Sequence, residues 1–116
     1  MFFMFIHLII LIFFIILTNF VFITAIAQVV KHNQAKFRAL ANMGDVLIKM
    51  NNLEEAIKVY QKQLTLSKQI QDKAFEASSY GSLGVCHRLL KRFDKSLGFH
   101  TQVRYLFFPP HSTLGF

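Results

Sequence analysis

Two stretches of this chain, MGDVLIKMNNLEEAI (residues 43–57) and LGVCHRLLKRFDKSL (residues 83–97), carry the same irregular pattern 40 positions apart. The aligned pairs are Gly44 with Gly84, Leu53 with Phe93, Ala56 with Ser96, and Tyr60 with His100. A fixed period of this length is the signature of a repeated structural unit. The repeated pattern therefore predicts two copies of one structural unit, each with the same internal packing.

Each copy has the spacing of two helices joined by a tight turn. From about Ala35 the apolar residues recur at i, i+3, i+4 and i+7, which indicates an amphipathic helix. Asn51 tolerates the left-handed conformation that ends a helix, and Asn52 can cap the helix that follows. Residues 35–72 are thus predicted to form one helical hairpin, and residues 74–108 a second.

The two aligned glycines lie inside predicted helices, where Gly costs about 1 kcal/mol relative to Ala. A helix tolerates this cost where a neighbouring helix crosses too closely for a Cβ. We expect Ala56 and Ser96 to be the small residues on the opposing helices, and Leu53 and Phe93 to fill the wedge at each turn. The predicted packing residues are Gly44, Leu53, Ala56 and Tyr60 in the first copy, and Gly84, Phe93 and Ser96 in the second.

These residues resemble the pattern of the tetratricopeptide repeat (TPR) family over about residues 35–103. The matching positions are Leu40, Met43-Gly44, Leu47, Ala56 and Tyr60, then Tyr80, Leu83-Gly84, His87, Ser96 and His100. The 40-residue period exceeds the usual one of about 34 and resembles a subclass found in long scaffolds of the Pins/LGN type. The resemblance implies an all-α fold: two TPR hairpins, a fragment of an α-solenoid, after a hydrophobic N-terminal helix. Ser96, His100 and Lys91 depart from the family pattern, so we expect looser packing in the second copy.

The resemblance also implies a groove lined by the first helix of each hairpin, in which a peptide segment of a partner protein binds. The predicted groove residues are Arg38, Asn42, Asp45, Lys49, Ser82 and Arg88. Asn42 would hydrogen-bond the peptide backbone, and the arginines and Lys49 would pair with its carboxylates. The alternative is that these are ordinary exposed polar residues on a groove too short to hold a segment.

Residues 1–30 form a leader without Lys, Arg, Asp or Glu, and its length suffices to cross a bilayer. As a membrane anchor through residues 2–30, followed by basic residues from Lys31, it predicts a single-pass protein with its C-terminal part in the cytoplasm. As a cleaved signal peptide it offers AIA at residues 25–27, but it lacks a basic start. As an artefact of the gene model it would be translated T-rich non-coding sequence, and the repeats would then be cytoplasmic.

The remaining composition restricts the function. All 13 basic and 6 acidic residues of the 116-residue chain lie after the leader, and the net charge is +7. The densest basic run, HRLLKRFDK (residues 87–95), has no nucleic-acid-binding motif beside it, so we expect no nucleic-acid partner. No phosphate loop, carboxylate pair or nucleophile elbow occurs, and we expect neither catalysis nor a cofactor, a metal or a small-molecule substrate. Cys86 is expected to be a small packed residue.

The leading hypothesis is a non-catalytic TPR module for protein–protein interaction, which the leader would tether to a membrane if it acts as an anchor. One alternative is a small single-pass membrane protein whose N-terminal helix is the functional part. Another is a partial gene product without a function of its own. Prolines 109 and 110 end any helix near Phe108, so residues 109–116 are predicted to be an irregular tail.

Overall fold

The computed structural model describes residues 1–109 and contains four helices. They are α1 (Phe2–Lys49), α2 (Leu53–Gln69), α3 (Lys73–Leu89) and α4 (Phe93–Phe107). Within residues 1–109 there is no strand, and the prediction of an all-α fold is confirmed. All but the first residue of the predicted irregular tail lies outside the described residues.

The chain divides into two units, one ending at Gln34 and the other beginning at Ala35. The first unit is helical from Phe2, and the side chains of residues 1–32 are exposed. By length and composition alone, α1 is apolar enough to cross a membrane, with a mean hydropathy of 2.9 over its most apolar window. The two predicted hairpins lie in the second unit.

Three turns of one type set the lengths of the helices in the second unit. Asn51, Gln71 and Lys91, spaced by 20 residues, have φ values of 59°, 57° and 62°, in the left-handed region. The next amide in each turn reaches back five residues: Asn52 N–H donates to the Leu47 carbonyl (2.8 Å), Asp72 to Ser67 (3.0 Å) and Arg92 to His87 (2.8 Å). This is the Schellman arrangement that satisfies the last carbonyls of a helix.

Side-chain capping follows only one of these turns. The Asp72 carboxylate accepts a hydrogen bond from the Phe75 amide at 3.0 Å. Asn52 occupies the equivalent position before α2, but its side chain makes no capping hydrogen bond, so that expectation is wrong. The backbone explains the difference, because ψ is 69° at Asn52 and 106°, in the extended region typical of caps, at Asp72.

The close crossings at the glycines are filled by rings. A Cβ added to Gly44 would lie 2.5 Å from Cζ of Tyr60, and one added to Gly84 would lie 2.7 Å from Nε2 of His100. The rings four positions after Ala56 and Ser96 lie over the glycines, a contact that the sequence analysis did not predict. Tyr60 is 1% exposed, whereas His100 is exposed.

The small residues lie beside these rings. Ala56 is fully buried, and Ser96 donates a hydrogen bond from Oγ to the Gly84 carbonyl at 2.8 Å. At the turns, Leu53 is half-buried, but Phe93 is 63% exposed. Phe93 does not fill a wedge, because no helix among the described residues covers its side of α4.

A polar residue joins the first three helices inside the core. Gln63 is 1% exposed, and its Nε2 donates to the Phe37 carbonyl at 3.2 Å. Ser79 Oγ donates to Oε1 of Gln63 at 3.1 Å. The rings of Phe37 and Phe75 stack beside this group with centroids 4.0 Å apart. A buried amide satisfied from two neighbouring helices fixes how those helices face each other.

We expect Gly44→Ala to destabilise the protein by about 1–3 kcal/mol, because the Tyr60 ring over it is buried and its hydroxyl is bonded. Gly81→Ala is the matched control, since a Cβ there meets no atom within 4 Å. The control should gain up to about 1 kcal/mol from helix propensity. Chemical unfolding of the full chain in detergent, followed by circular dichroism, measures both. Equal midpoints for the two variants would contradict the close contact.

Candidate functional site

Four of the predicted groove residues form an exposed line on α1, called here the α1 stripe: Arg38, Asn42, Asp45 and Lys49. Their separations of four, three and four residues place them on one helix face. Within residues 1–109, the side chains of Arg38, Asn42 and Lys49 make no hydrogen bond or ion pair with another protein group. Their polar ends are therefore available to a ligand.

Asp45 has a structural partner. Its carboxylate accepts a hydrogen bond from the Tyr60 hydroxyl, across the crossing at Gly44. Burial, and then the bond and charge of Asp45, raise the pKa of Tyr60 above its usual range, whereas the nearby Ser82 on α3 opposes the shift. Tyr60 thus remains a neutral donor that links α1 and α2. Two of the six predicted groove residues, Asp45 and Ser82, lie near this hydroxyl.

Arg88 lies on a different side of α3 from Ser82. The two are six residues apart, which turns a helix by roughly 600°, so they point about 120° apart. Leu89, seven residues from Ser82, continues its line and is 44% exposed. Arg88 is exposed, but it does not share a helix face with another predicted groove residue. The two predicted groove cations that do share one face are Arg38 and Lys49 of the α1 stripe.

A shallow depression of about 620 Å³ lies between the second unit's part of α1 and α2. Its lining includes Lys36, Leu40, Glu55, Lys58 and Lys62, and none of the six predicted groove residues contributes to it. It offers a second cationic surface of the same unit for comparison with the α1 stripe.

The reactive side chains are used for packing. Cys86 is fully buried, and burial, followed by the charge of Asp45, raises the pKa of its thiol to about 11. At neutral pH such a thiol is protonated and is a poor nucleophile. Within residues 1–109, no group of three or more His, Cys, Asp or Glu side chains is placed to hold a metal ion.

His87 is a buried core residue at the repeat position that Leu47 occupies in the first hairpin. It is 6% exposed and stacks on Phe99, with ring centroids 5.2 Å apart. Its Nδ1 has no hydrogen-bond partner among the described residues. Burial, and then the charges of Arg92 and Lys95, lower the pKa of His87, while Glu54 opposes them. A neutral imidazole therefore fills this place.

The polar core pair Gln63 and Ser79 was missed in the sequence analysis. A signal for Gln63 existed, because it lies three residues after Tyr60 and seven after Ala56, on the buried line of α2. A polar side chain on such a line indicates an internal hydrogen-bond partner. The sequence did not indicate that the partner is Ser79.

Comparison with known families agrees with this architecture. A family profile described as Tetratricopeptide repeat matches residues 36–104, which is more than half of the chain. The chain belongs to the tetratricopeptide repeat family. No curated protein and no solved structure gives a significant match. TPR repeats typically serve as non-catalytic protein-interaction modules, and a scaffold of this kind is the general function that the family indicates.

The buried histidine of the second TPR hairpin predicts a loss of stability in acid. Because the folded-state pKa of His87 lies below its unfolded value, the unfolded chain binds the proton more tightly. The free energy of unfolding should fall as the pH drops below about 6.5. His87→Leu, which copies Leu47 of the first hairpin, should remove this part of the fall. Denaturant midpoints between about pH 7 and pH 5 measure it.

His32→Gln is the matched control, because His32 is exposed on α1 and lies outside the packed hairpins. It should keep the wild-type slope of stability against pH. A wild-type slope in His87→Leu as well would show that the acid sensitivity has another origin.

Proposed function

We propose that this TPR chain is a non-catalytic scaffold that binds an acidic segment of a partner protein along the α1 stripe. The observation that carries the proposal is the exposure of Arg38, Asn42 and Lys49, whose polar groups make no bond to another protein group within residues 1–109. Asp45 belongs to the same line, but its carboxylate is engaged by Tyr60. The stripe therefore offers cationic and amide donors to a ligand rich in carboxylates.

The chemistry of such a surface favours modest, salt-dependent binding. Arg38 and Lys49 would pair with carboxylates of the segment, and the Asn42 amide would bond to its backbone. Exposed charge pairs contribute about 0.2–1 kcal/mol each and are screened by salt. We infer that one hairpin pair supplies a weak site, which gains strength when more stripes are joined.

Selection of random peptides on the full chain in nanodiscs tests the groove. We expect the selected peptides to be enriched in Asp and Glu. Arg38→Glu with Lys49→Glu should weaken their binding about tenfold or more, which corresponds to about 1.4 kcal/mol. Fluorescence anisotropy of labelled selected peptides measures the change.

Lys58→Glu with Lys62→Glu is the control, because it makes the same charge change on the depression between α1 and α2. It should leave binding within about twofold, a change of under half a kcal/mol. Equal losses in both double variants would indicate attraction to net charge rather than a groove. Peptides without acidic enrichment would remove the proposed ligand class.

We further propose that the leader tethers this scaffold to a membrane, with the TPR hairpins in the cytoplasm. The uncharged residues 2–30 and the high hydropathy of α1 support a span. Lys31, Lys36 and Arg38 follow the span directly, and basic residues favour the cytoplasmic side. Without the leader the scaffold would be cytoplasmic.

Extraction of expressing cells with alkaline carbonate tests the tether, and the wild-type chain should stay in the membrane pellet. Ile10→Lys with Phe14→Lys should release it, because each Lys at the centre of a span costs about 2.5–3.5 kcal/mol. Ile10→Ala with Phe14→Ala is the matched control and should remain in the pellet. Release of the wild type would end the tether proposal.

Two other assignments remain proposals. The hydropathy of α1 supports the alternative of a small single-pass protein that acts through its leader, with the repeats as an appendage. The 40-residue period and the sequences of the two copies support a relationship to long scaffolds such as tetratricopeptide repeat protein 28. This chain would be a fragment of such a scaffold. A partial gene product without a function of its own would show no peptide binding.

A further inference from the structure

The last helix of the TPR hairpins has an apolar face that nothing among residues 1–109 covers. Phe93 is 63% exposed and Leu97 is 67% exposed. Forty residues earlier, the equivalent Leu53 is half-buried and Ile57 is 6% exposed. The difference arises because α3 packs on α2, whereas no described helix packs in the same way on α4.

On α1, the first helix of the hairpins, the residues equivalent to those with which α3 packs on α2 are exposed. Met43 is 54% exposed and Val46 is 53% exposed, although their equivalents on α3, Leu83 and Cys86, are fully buried. Met50 continues this face. Leu83 and Cys86 belong to one buried cluster with Ile57 of α2. The open face of α4 and the open face of α1 are therefore the two halves of the interface that α2 and α3 form within the chain.

We propose that two copies of this chain associate head to tail, with α4 of one copy packed on residues 39–52 of the next. The association continues the internal junction of α2 with α3 across two chains. Leu97 takes the place of Ile57, and Val46 takes the place of Cys86. A second copy suits this surface because both complementary halves occur in one chain at the spacing of the repeat.

The residues that differ between the two junctions change together. The internal junction contains the hydrogen-bonded pair Gln63 and Ser79, with 3.1 Å between Oε1 and Oγ. The equivalents are Val103 and Ala39, which are both apolar. A polar pair is replaced by an apolar pair, so neither junction buries a polar group without a partner.

The exposed edge of the junction is matched in a similar way. Within the chain, Glu54 on α2 pairs with Arg92 at the start of α4. The equivalents at the open ends are Asp94 and Asn52, whose amide can donate to a carboxylate. The junction between copies thus keeps an acceptor opposite a donor where the internal junction has an ion pair.

An association of this kind repeats, because each copy retains one unused half. Head-to-tail contacts give rings or open chains rather than closed dimers. Association would align successive α1 stripes, but it does not depend on the proposed peptide site.

Complementation between two blocked variants tests the proposal with the full chain in detergent micelles. Leu97→Glu blocks the α4 face and Val46→Glu blocks the α1 face, and both positions are exposed, so helix content by circular dichroism should be unchanged. The wild type should form species larger than dimers as its concentration rises. Each variant alone should be monomeric, and an equal mixture should form dimers and nothing larger. Multi-angle light scattering measures the masses.

Leu89→Glu is the matched control, because Leu89 is an exposed apolar residue outside both faces. It should associate like the wild type. A second measurement does not require the charge variants to be tolerated. With oxidised glutathione as the oxidant, copies with Val46→Cys should form a disulfide with copies with Leu97→Cys several-fold faster than with copies with Leu89→Cys. The buried Cys86 stays out of this reaction.

Several outcomes would overturn the proposal. A mixture of the two blocked variants that remains monomeric removes the head-to-tail contact. Association that Leu97→Glu abolishes but Val46→Glu leaves intact indicates a symmetric contact between α4 helices. Equal association of all variants indicates that the leader drives it. A monomeric wild type leaves the α4 face to another partner, such as a further repeat of a longer chain.

Discussion

The contact of the Tyr60 ring with the backbone of Gly44 is the constraint on which the hairpin pair depends. The ring lies where a Cβ would be, so α1 and α2 approach each other at that position. The hydroxyl reaches past the glycine and donates a hydrogen bond to Asp45. One side chain thereby joins α1 and α2 and holds the Asp45 carboxylate of the exposed α1 stripe in place.

The second hairpin uses the same geometry with weaker chemistry. His100 lies over Gly84 as Tyr60 lies over Gly44, but it is exposed and lacks a phenol. Ser96 compensates in part through its hydrogen bond to the Gly84 carbonyl. His87 adds a buried nitrogen without a partner among the described residues. Such a group costs about 1–3 kcal/mol, so we expect the second hairpin to be the less stable of the two.

The chemistry of the protein follows from where its polar groups are used. Cys86 and His87 are buried in the packed core, and Gln63 bonds at the junction of three helices, so the exposed polar groups of the α1 stripe are the ones that the proposed recognition uses. The two ends of the hairpin pair expose apolar residues that correspond to its own buried interface. The proposed recognition of a partner segment and the proposed association of copies thus involve separate surfaces, the first polar and the second apolar.

The sequence alone determined the all-α fold, the two hairpins and the turn at Asn51, because helical spacing and the left-handed preference of Asn are local properties. It could not determine which side chain covers each glycine, where rings four positions after Ala56 and Ser96 take the space. Nor could it show that Phe93 is exposed, that Asp45 is engaged by Tyr60, or that Gln63 bonds to Ser79. These contacts join residues 15 and 16 positions apart on different helices, or, for Phe93, depend on which side of α4 its neighbours cover. Only the tertiary structure decides them, because the crossing angle and register of packed helices select the partner of each side chain, and a local pattern does not contain that information.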